Sequence, residues 1–289
     1  MNADALLLVV AGAFLHALWN FFAKRASGGG IPFIWLYGLV SLASALPFGV
    51  LAWLHAPQTL GMPAWAAIIA SAAVHVVYCI VLQKGYQQSD FSVVYPIARG
   101  TGPMMAVFGA VLVLGEMPGL LGWTGIGAIV IGIALIAGVH RLLGATEQRL
   151  RKGIMWGAFT GMSIAAYTVI DGWAVKTVGI SPIVYYTIGL AVRTTLLAPL
   201  ALRNSSQLRD QWKQNRPYII AVGVLSPLAY TLVLFAMTLA PLSFVAPVRE
   251  LSMLLGTLFG ARLLQEKGIA SRMAGATFML AGVVMLAWA

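Results

Sequence analysis

The most regular feature of the chain is a succession of long apolar runs separated by short polar segments. Ten runs each have about 20 residues, the length that a helix needs to cross the hydrocarbon core of a bilayer. They cover residues 5–23, 31–54, 63–82, 91–114, 120–139, 154–175, 183–202, 218–239, 244–264 and 269–288. Because the runs are continuously apolar rather than alternating, they predict helices and not the strands of a membrane barrel. The chain is therefore predicted to be an all-α integral membrane protein with ten transmembrane helices.

The composition supports the same class. Of the 289 residues, 60% are hydrophobic and only 9% are charged, whereas a soluble domain carries about 25% charged residues. This disfavours a soluble enzyme, a disordered chain and a coiled coil. Ten helices also use most of the chain, so we expect a compact bundle without an extramembrane domain.

The two halves of the sequence repeat a pattern of rare residues. The segments 92–99 and 243–249 both run from a serine through a proline to an arginine. Beyond these arginines, a shift of 150 pairs Glu116 with Glu266, Gly125 with Gly275, and Gly132 with Gly282. We predict two five-helix repeats, 1–140 and 153–289, joined by a basic linker at 141–152. Five is an odd number, so the repeats have inverted topology, which is typical of secondary transporters.

The distribution of basic residues predicts the orientation in the membrane. The net charge is +10, and 14 of the 18 basic residues lie on the side of the loops that follow predicted helices 1, 3, 5, 7 and 9. Lys176 alone lies on the opposite side. The positive-inside rule then makes the basic loops cytoplasmic and places both termini outside, in a cytoplasmic (inner) membrane. This topology explains the basic charge without a nucleic-acid partner.

Charged residues at membrane depth indicate where chemistry takes place, because such residues are costly and usually face a cavity or a partner. Five occur, namely Arg99, Asp171, Arg193, Arg249 and Glu250. Arg99 and Arg249 lie in corresponding proline-containing segments, which predict bent or broken helices and an anion-binding site. The alternative is that the arginines pair with Glu250 and Asp171 and lock the bundle.

Two predicted helices also carry a polar and aromatic face. His16, Trp19 and Asn20 share one face of helix 1, as Tyr167 and Asp171 do in helix 6. Such a face suits a small polar ligand, although plain interhelical hydrogen bonding is the alternative. The candidate substrate-binding residues are His16, Trp19, Asn20, Tyr95, Arg99, Tyr167 and Arg249. The candidate residues for proton coupling or an ion pair are Asp171 and Glu250.

Signatures of catalysis are missing from the sequence. It has no HExxH, Walker or Gly-x-Ser-x-Gly motif, and Cys79 is its only cysteine. We therefore expect neither an enzyme nor a cofactor or metal site.

Several local motifs resemble the drug/metabolite transporter superfamily, EamA type. They are Leu114-Gly115-Glu116 and Gln265-Glu266, each before a glycine-spaced last helix, and the opening 12–20, which ends in Trp19-Asn20. The resemblance implies a central cavity between the halves, alternating access and a small-molecule substrate. Related carriers of cationic drugs use a glutamate in the first helix, and this chain has no acid there.

The charges at membrane depth predict the class of substrate. Three arginines against two acids favour an anionic or zwitterionic metabolite, moved by a secondary transporter that is proton-coupled or an exchanger. One alternative is an exporter of cationic or aromatic compounds that uses Asp171 and Glu250. Another is a membrane enzyme acting on a lipid-linked substrate. The sequence is compatible with a monomer and with a homodimer.

Overall fold

The computed structural model describes residues 1–26, 29–89, 91–137, 148–253 and 269–289. Almost all of these residues are helical. Within this part of the chain the helices are, in order, α1 (Ala3–Arg25), α2 (Gly30–His55), α3 (Met62–Gln88), α4 (Phe91–Leu114), α5 (Leu120–Ala137), α6 (Gln148–Lys176), α7 (Pro182–Leu202), α8 (Ser205–Leu239), α9 (Leu242–Arg249) and α10 (Ile269–Trp288).

Seven of the described helices are long and apolar enough to cross a membrane, namely α1 to α4 and α6 to α8. Two shorter apolar stretches, Leu120–Leu135 and Met273–Trp288, lie in α5 and α10. Helix α9 has only 8 residues. The all-helical membrane architecture is therefore confirmed, while ten separate spans stay a prediction.

Two helices begin earlier than their apolar runs indicate. Helix α8 starts at Ser205 rather than at residue 218, and the side chain of Asn204 caps it by accepting a hydrogen bond from the N–H of Gln207 at 3.3 Å. Helix α6 starts at Gln148, so basic residues assigned to the linker form its first turns. An apolar run measures the part of a helix that lipid surrounds, and charged turns continue the helix into water.

The two proline-containing segments differ from each other. Helix α4 continues from Phe91 to Leu114 through both of its prolines, so it is not broken as the sequence allowed. Helix α9 ends at Arg249, two residues after Pro247, and the N–H of Glu250 donates to the carbonyl oxygen of Pro247 at 3.0 Å. A proline removes one helical hydrogen bond, and packing decides whether the helix then ends.

Helix α9 occupies the centre of the bundle. It contacts α1, α4, α5, α6 and α8, and every residue from Leu242 to Arg249 is buried. Around it, α4 packs on α6, α1 on α8, α3 on α6 and α2 on α7. Residues at the end of α9 are therefore surrounded by helices from both halves of the chain.

Helices α5 and α10 approach each other through the glycines that the repeat pairs. A Cβ on Gly132 would lie 2.6 Å from the carbonyl oxygen of Gly275. A Cβ on Gly282 would lie 2.6 Å from the carbonyl oxygen of Gly125. When each glycine is replaced by its repeat partner in the other half of the chain, the first contact becomes the second. Small residues of this kind allow the close helix contacts that stabilise membrane proteins.

Replacing Gly132 with alanine should destabilise the protein, because the new Cβ would lie 2.5 Å from Met279 Cγ and 2.6 Å from a backbone oxygen. Overpacking of this kind costs about 1–3 kcal/mol. Thermal unfolding in detergent, followed by tryptophan fluorescence, should show a lower Tm for Gly132→Ala. The matched control is Gly127→Ala in the same helix, where a Cβ meets nothing within 4 Å. Equal Tm values for the two variants would contradict the packing.

Candidate functional site

A buried group of charges lies at the end of α9. Glu250 Oε2 is 2.7 Å from Arg99 Nη2, and Glu250 Oε1 is 3.6 Å from Arg249 Nε. Arg99 Nη2 also donates to Ser252 Oγ at 2.9 Å. The Glu250 side chain is 0% exposed and that of Arg249 is 3% exposed. The packing of α4 on α9 thus brings the two repeat-matched arginines to one carboxylate.

Among the described residues this group has two guanidinium groups to one carboxylate, and both Glu250 oxygens and two nitrogen atoms of Arg249 are buried without a hydrogen-bond partner. Arg249 is the donor concerned. Its Nη2 atom is buried and, within the described part of the chain, has no hydrogen-bond partner. A buried donor without an acceptor costs about 1–3 kcal/mol, and more when it is charged. An anionic group on a ligand would supply the missing acceptor through charge-assisted hydrogen bonds.

A second polar centre forms around Asp171 in α6. Its Oδ1 atom accepts hydrogen bonds from Ser71 Oγ and from the Tyr185 hydroxyl, both at 2.5 Å. Its Oδ2 atom accepts from the Tyr230 hydroxyl. These donors lie on α3, α7 and α8, so one carboxylate joins four helices. Asp171 is also within electrostatic range of Arg249, which links the two polar centres.

Aromatic rings line the space beside Asp171. The ring of His75 stacks on Tyr167 with 3.9 Å between centroids, and Tyr167 lies 6.3 Å from Tyr230. Tyr186 continues the cluster at 5.2 Å from Tyr230. The sequence reasoning singled out Tyr167 but missed Ser71, Tyr185, Tyr186 and Tyr230. Hydroxyl-bearing residues are common in membrane helices, so only their convergence in space marks these four.

The polar residues of α1 contact one another as well as the site. Trp19 Nε1 donates to His16 Nδ1 at 3.2 Å, and Asn20 Nδ2 donates to the carbonyl oxygen of His16 at 2.7 Å. His16 is within electrostatic range of Arg99 and Arg249. His16 therefore lies within electrostatic range of the charge group, and Trp19 and Asn20 hydrogen-bond to His16.

Two further residues from the sequence reasoning can be placed only in part. Tyr95 belongs to α4, one turn before Arg99, but its side chain lies outside the described residues. Glu266, the repeat partner of Glu116, also lies outside them.

Comparison with known proteins identifies the family. A model of the EamA-like transporter family matches residues 4–138 and 151–288. The chain belongs to the EamA-like transporter family. Its membership confirms the resemblance seen in the sequence. It also confirms a membrane transporter of a small molecule rather than an enzyme.

The fold of this EamA-like transporter is also found in solved structures. One, described only as "Crystal structure of protein", is 12% identical, has a TM-score of 0.74, and aligns over 99% of this chain and 96% of its own. At that identity the likeness shows a shared fold and nothing about the substrate. Among curated proteins no relative matches the chain.

In this EamA-like transporter, Glu116 anchors the start of α9 from outside the membrane-spanning helices. Its Oε1 atom accepts hydrogen bonds from the N–H of Leu242 at 2.7 Å and from Lys176 Nζ at 2.9 Å. Its Oε2 atom accepts from the N–H of Ser243 at 2.8 Å. Free N–H groups at a helix start favour a carboxylate. Because α9 is so short, this anchor also fixes the position of Arg249 at its other end.

The pKa of Glu116 lies below its ordinary value of 4.5. Partial burial raises it, but the N–H of Ser243, the Lys176 ammonium and the N–H of Leu242 together lower it by more. A lowered pKa in the folded state means that the stabilisation is complete above pH 4.5. It is lost as the pH falls from there through the lower pKa of the folded protein.

Replacing Glu116 with glutamine should remove this pH-dependent part of the stability. We expect Glu116→Gln to be less stable than the parent at neutral pH by about 1 kcal/mol, the usual value of a helix cap. The difference in Tm should shrink as the pH falls below 4.5. Lys176→Met is the control, because it keeps both backbone hydrogen bonds and should lose less. A difference between parent and Glu116→Gln that stays constant with pH would refute this role.

Proposed function

We propose that this EamA-like transporter is a secondary transporter of a small anionic or zwitterionic metabolite. The observation that carries the proposal is Arg249, a buried guanidinium whose Nη2 atom has no hydrogen-bond partner among the described residues. It lies where α9 ends, at the junction of helices from both halves. A ligand anion at this position satisfies the donor and neutralises the excess charge.

The proposed binding site extends from the charge group to the aromatic cluster. Arg249 and Arg99 hold the anionic end, and His16 lies beside them. The ring of Tyr167 packs against the body of the substrate. The full set of proposed binding residues is His16, Trp19, Asn20, Tyr95, Arg99, Tyr167 and Arg249. Within it, the Trp19 indole N–H orients the ring of His16, and Asn20 hydrogen-bonds to the backbone carbonyl oxygen of His16.

The transport cycle that we propose is alternating access between two inverted five-helix halves, 1–140 and 153–289, with a linker at 141–152. The matched glycine contacts between α5 and α10 support a two-fold relation of the halves. The helix contacts support the same relation, because α1 packs on α8 while their repeat counterparts, α6 and α3, pack on each other. The Met1 ammonium donates to the carbonyl oxygen of Leu286 at 3.1 Å. This contact supports a topology in which the first and last helices have these two ends on the same side of the membrane. In the proposed inner-membrane topology that side is outside and the basic loops are cytoplasmic.

Proton coupling is proposed to use Asp171, with Glu250 as the ion-pair partner of the arginines. Asp171 is buried at membrane depth and within electrostatic range of the proposed anion site. A carboxylate so placed binds or releases a proton in response to a nearby charge. An anion arriving at Arg249 cancels the positive charge that favours ionised Asp171. Substrate and proton then bind together.

A second candidate function is the export of cationic or aromatic compounds. The cluster of Tyr167, Tyr186 and Tyr230 beside Asp171 favours it, because aromatic faces attract cations. Proteoliposomes exposed to a mixture of anionic, zwitterionic and cationic metabolites, with mass spectrometry of their contents, separate the two candidates. Selective flux of cations would replace the first proposal by the second.

Replacing Arg249 with glutamine should lower the flux of the selected anionic substrate at least tenfold. A lost charge-assisted hydrogen bond is worth about 1.5–3 kcal/mol, which exceeds the 1.4 kcal/mol of a tenfold effect. The variant should fold, because Arg99 and Glu250 remain as a neutral pair. Arg249→Lys keeps the charge and should retain part of the flux, and Arg209→Gln is an exposed control. Unchanged flux in folded Arg249→Gln would remove Arg249 from the site.

Replacing Asp171 with asparagine should separate proton coupling from transport. The amide oxygen still accepts from Ser71 and Tyr185, and the Tyr230 hydroxyl can accept from the amide NH2 instead of donating, so we expect the packing of four helices to be kept. We expect stimulation of uptake by a pH gradient to disappear, while exchange of labelled for unlabelled substrate continues. Tyr185→Phe, which removes one hydrogen bond but no charge, should keep the stimulation. If Asp171→Asn still responds to the gradient, Asp171 does not carry the proton.

A further inference from the structure

The proposed site leaves one arginine at membrane depth unused. Arg193 lies in the middle of α7 and lines a small cavity between α3, α6 and α7. Polar groups from Ser71, His75, Asp171 and Tyr186 line the same cavity. Its volume is about 20 Å³, enough for roughly one water-sized group and far below the range of about 300–1,000 Å³ for pockets that hold a whole small molecule. A single small chemical group fits this space.

Arg193 differs from the other two arginines in having no carboxylate beside it. Among the described residues, no carboxylate oxygen lies within 4 Å of its guanidinium. Its guanidinium hydrogen-bonds to the Tyr186 hydroxyl and lies within electrostatic range of the Tyr37 hydroxyl and the Cys79 thiol, groups that carry no charge at neutral pH by their ordinary pKa values. An unmatched charge at the bilayer centre costs about 2.5–3.5 kcal/mol or more. A counter-charge from a ligand would offset that cost.

Asp171 lines the cavity too, but three of its roughly four acceptor positions are already used. Three hydroxyl groups donate to its two oxygens. The cavity thus contains a carboxylate that receives three hydrogen bonds and a guanidinium that hydrogen-bonds to one neutral hydroxyl, that of Tyr186. This asymmetry selects an anion, which accepts hydrogen bonds from Arg193, over a cation, which would compete with three hydroxyls for Asp171.

We propose that this cavity is a second anion-binding site, with Arg193 as its principal binding residue and one carboxylate-sized or halide-sized anion as its occupant. The anion is either a second acidic group of the transported substrate or a free inorganic anion. The first source rests on the proposed function and the second does not. His75 is within electrostatic range of both Arg193 and Arg249. The two anion sites therefore lie near the same side chain.

Thermal stability of the purified protein tests for a free anion, and needs no transport. At equal ionic strength, chloride or formate should raise the Tm of the parent by about 2 °C or more relative to the bulky anion gluconate. Arg193→Gln should abolish the shift. Gly189→Val should do the same by filling the cavity, since Gly189 lines it and its Cβ position is open. Gly127→Val and Arg209→Gln are the controls that keep the shift.

Flux in proteoliposomes tests for a second acidic group on the substrate. Arg193→Gln and Gly189→Val should lower the uptake of a dicarboxylate such as succinate relative to the monocarboxylate propionate by about tenfold, the value of one lost charge contact. Loss of the chloride shift with an unchanged ratio assigns the site to a free anion. A changed ratio assigns it to the substrate.

The inference fails if both variants keep the parent's response to chloride and formate and its ratio of dicarboxylate to monocarboxylate uptake. A parent without any anion-dependent shift, combined with an unchanged ratio, also overturns it. Should Arg193→Gln not fold, Gly189→Val decides the question, because it leaves the guanidinium in place. Absence of all flux in the parent would contradict the proposed function, while the thermal shift would still decide on the Arg193 site.

Discussion

A charge inside a bilayer must be matched from within the protein, and this constraint organises the centre of the molecule. Glu250 lies against Arg99 and Arg249, and it has one negative charge to set against two positive ones. Hydration would solve the imbalance at a surface, but this carboxylate is fully buried. Among the described residues, this charge group therefore holds more positive than negative charge. The proposed anionic substrate would supply the additional partner.

Helix α9 connects this centre to the edge of the membrane region. Its first two N–H groups are held by Glu116, and its last residue is Arg249. A helix of 8 residues is about 12 Å long. The interface residue Glu116 and the buried Arg249 are therefore joined by one short helix.

The sequence predicted those features that depend on local pattern, and failed where packing decides. Apolar runs located the helices, and glycines in register identified Gly132 and Gly275, which the structure places in contact. The early start of α8 was missed because charged turns in water leave no hydropathy signal. Asp171 was visible as a rare charge, whereas Ser71 and Tyr230 became visible only after α3 and α8 were placed around α6. Similarly, a proline in sequence does not show that α4 continues while α9 ends.

The hydrogen-bond directions around Asp171 also weigh against a cationic substrate. An ionised carboxylate only accepts hydrogen bonds, so Ser71, Tyr185 and Tyr230 must all donate to it. A cation entering the aromatic cluster would meet ring faces and a carboxylate with three of its roughly four acceptor positions occupied. An anion meets the opposite situation at Arg249, where a buried donor has no acceptor among the described residues. Displacing donors that are already hydrogen-bonded costs free energy, whereas supplying an acceptor to Arg249 gains it, and this difference supports the proposed anionic substrate.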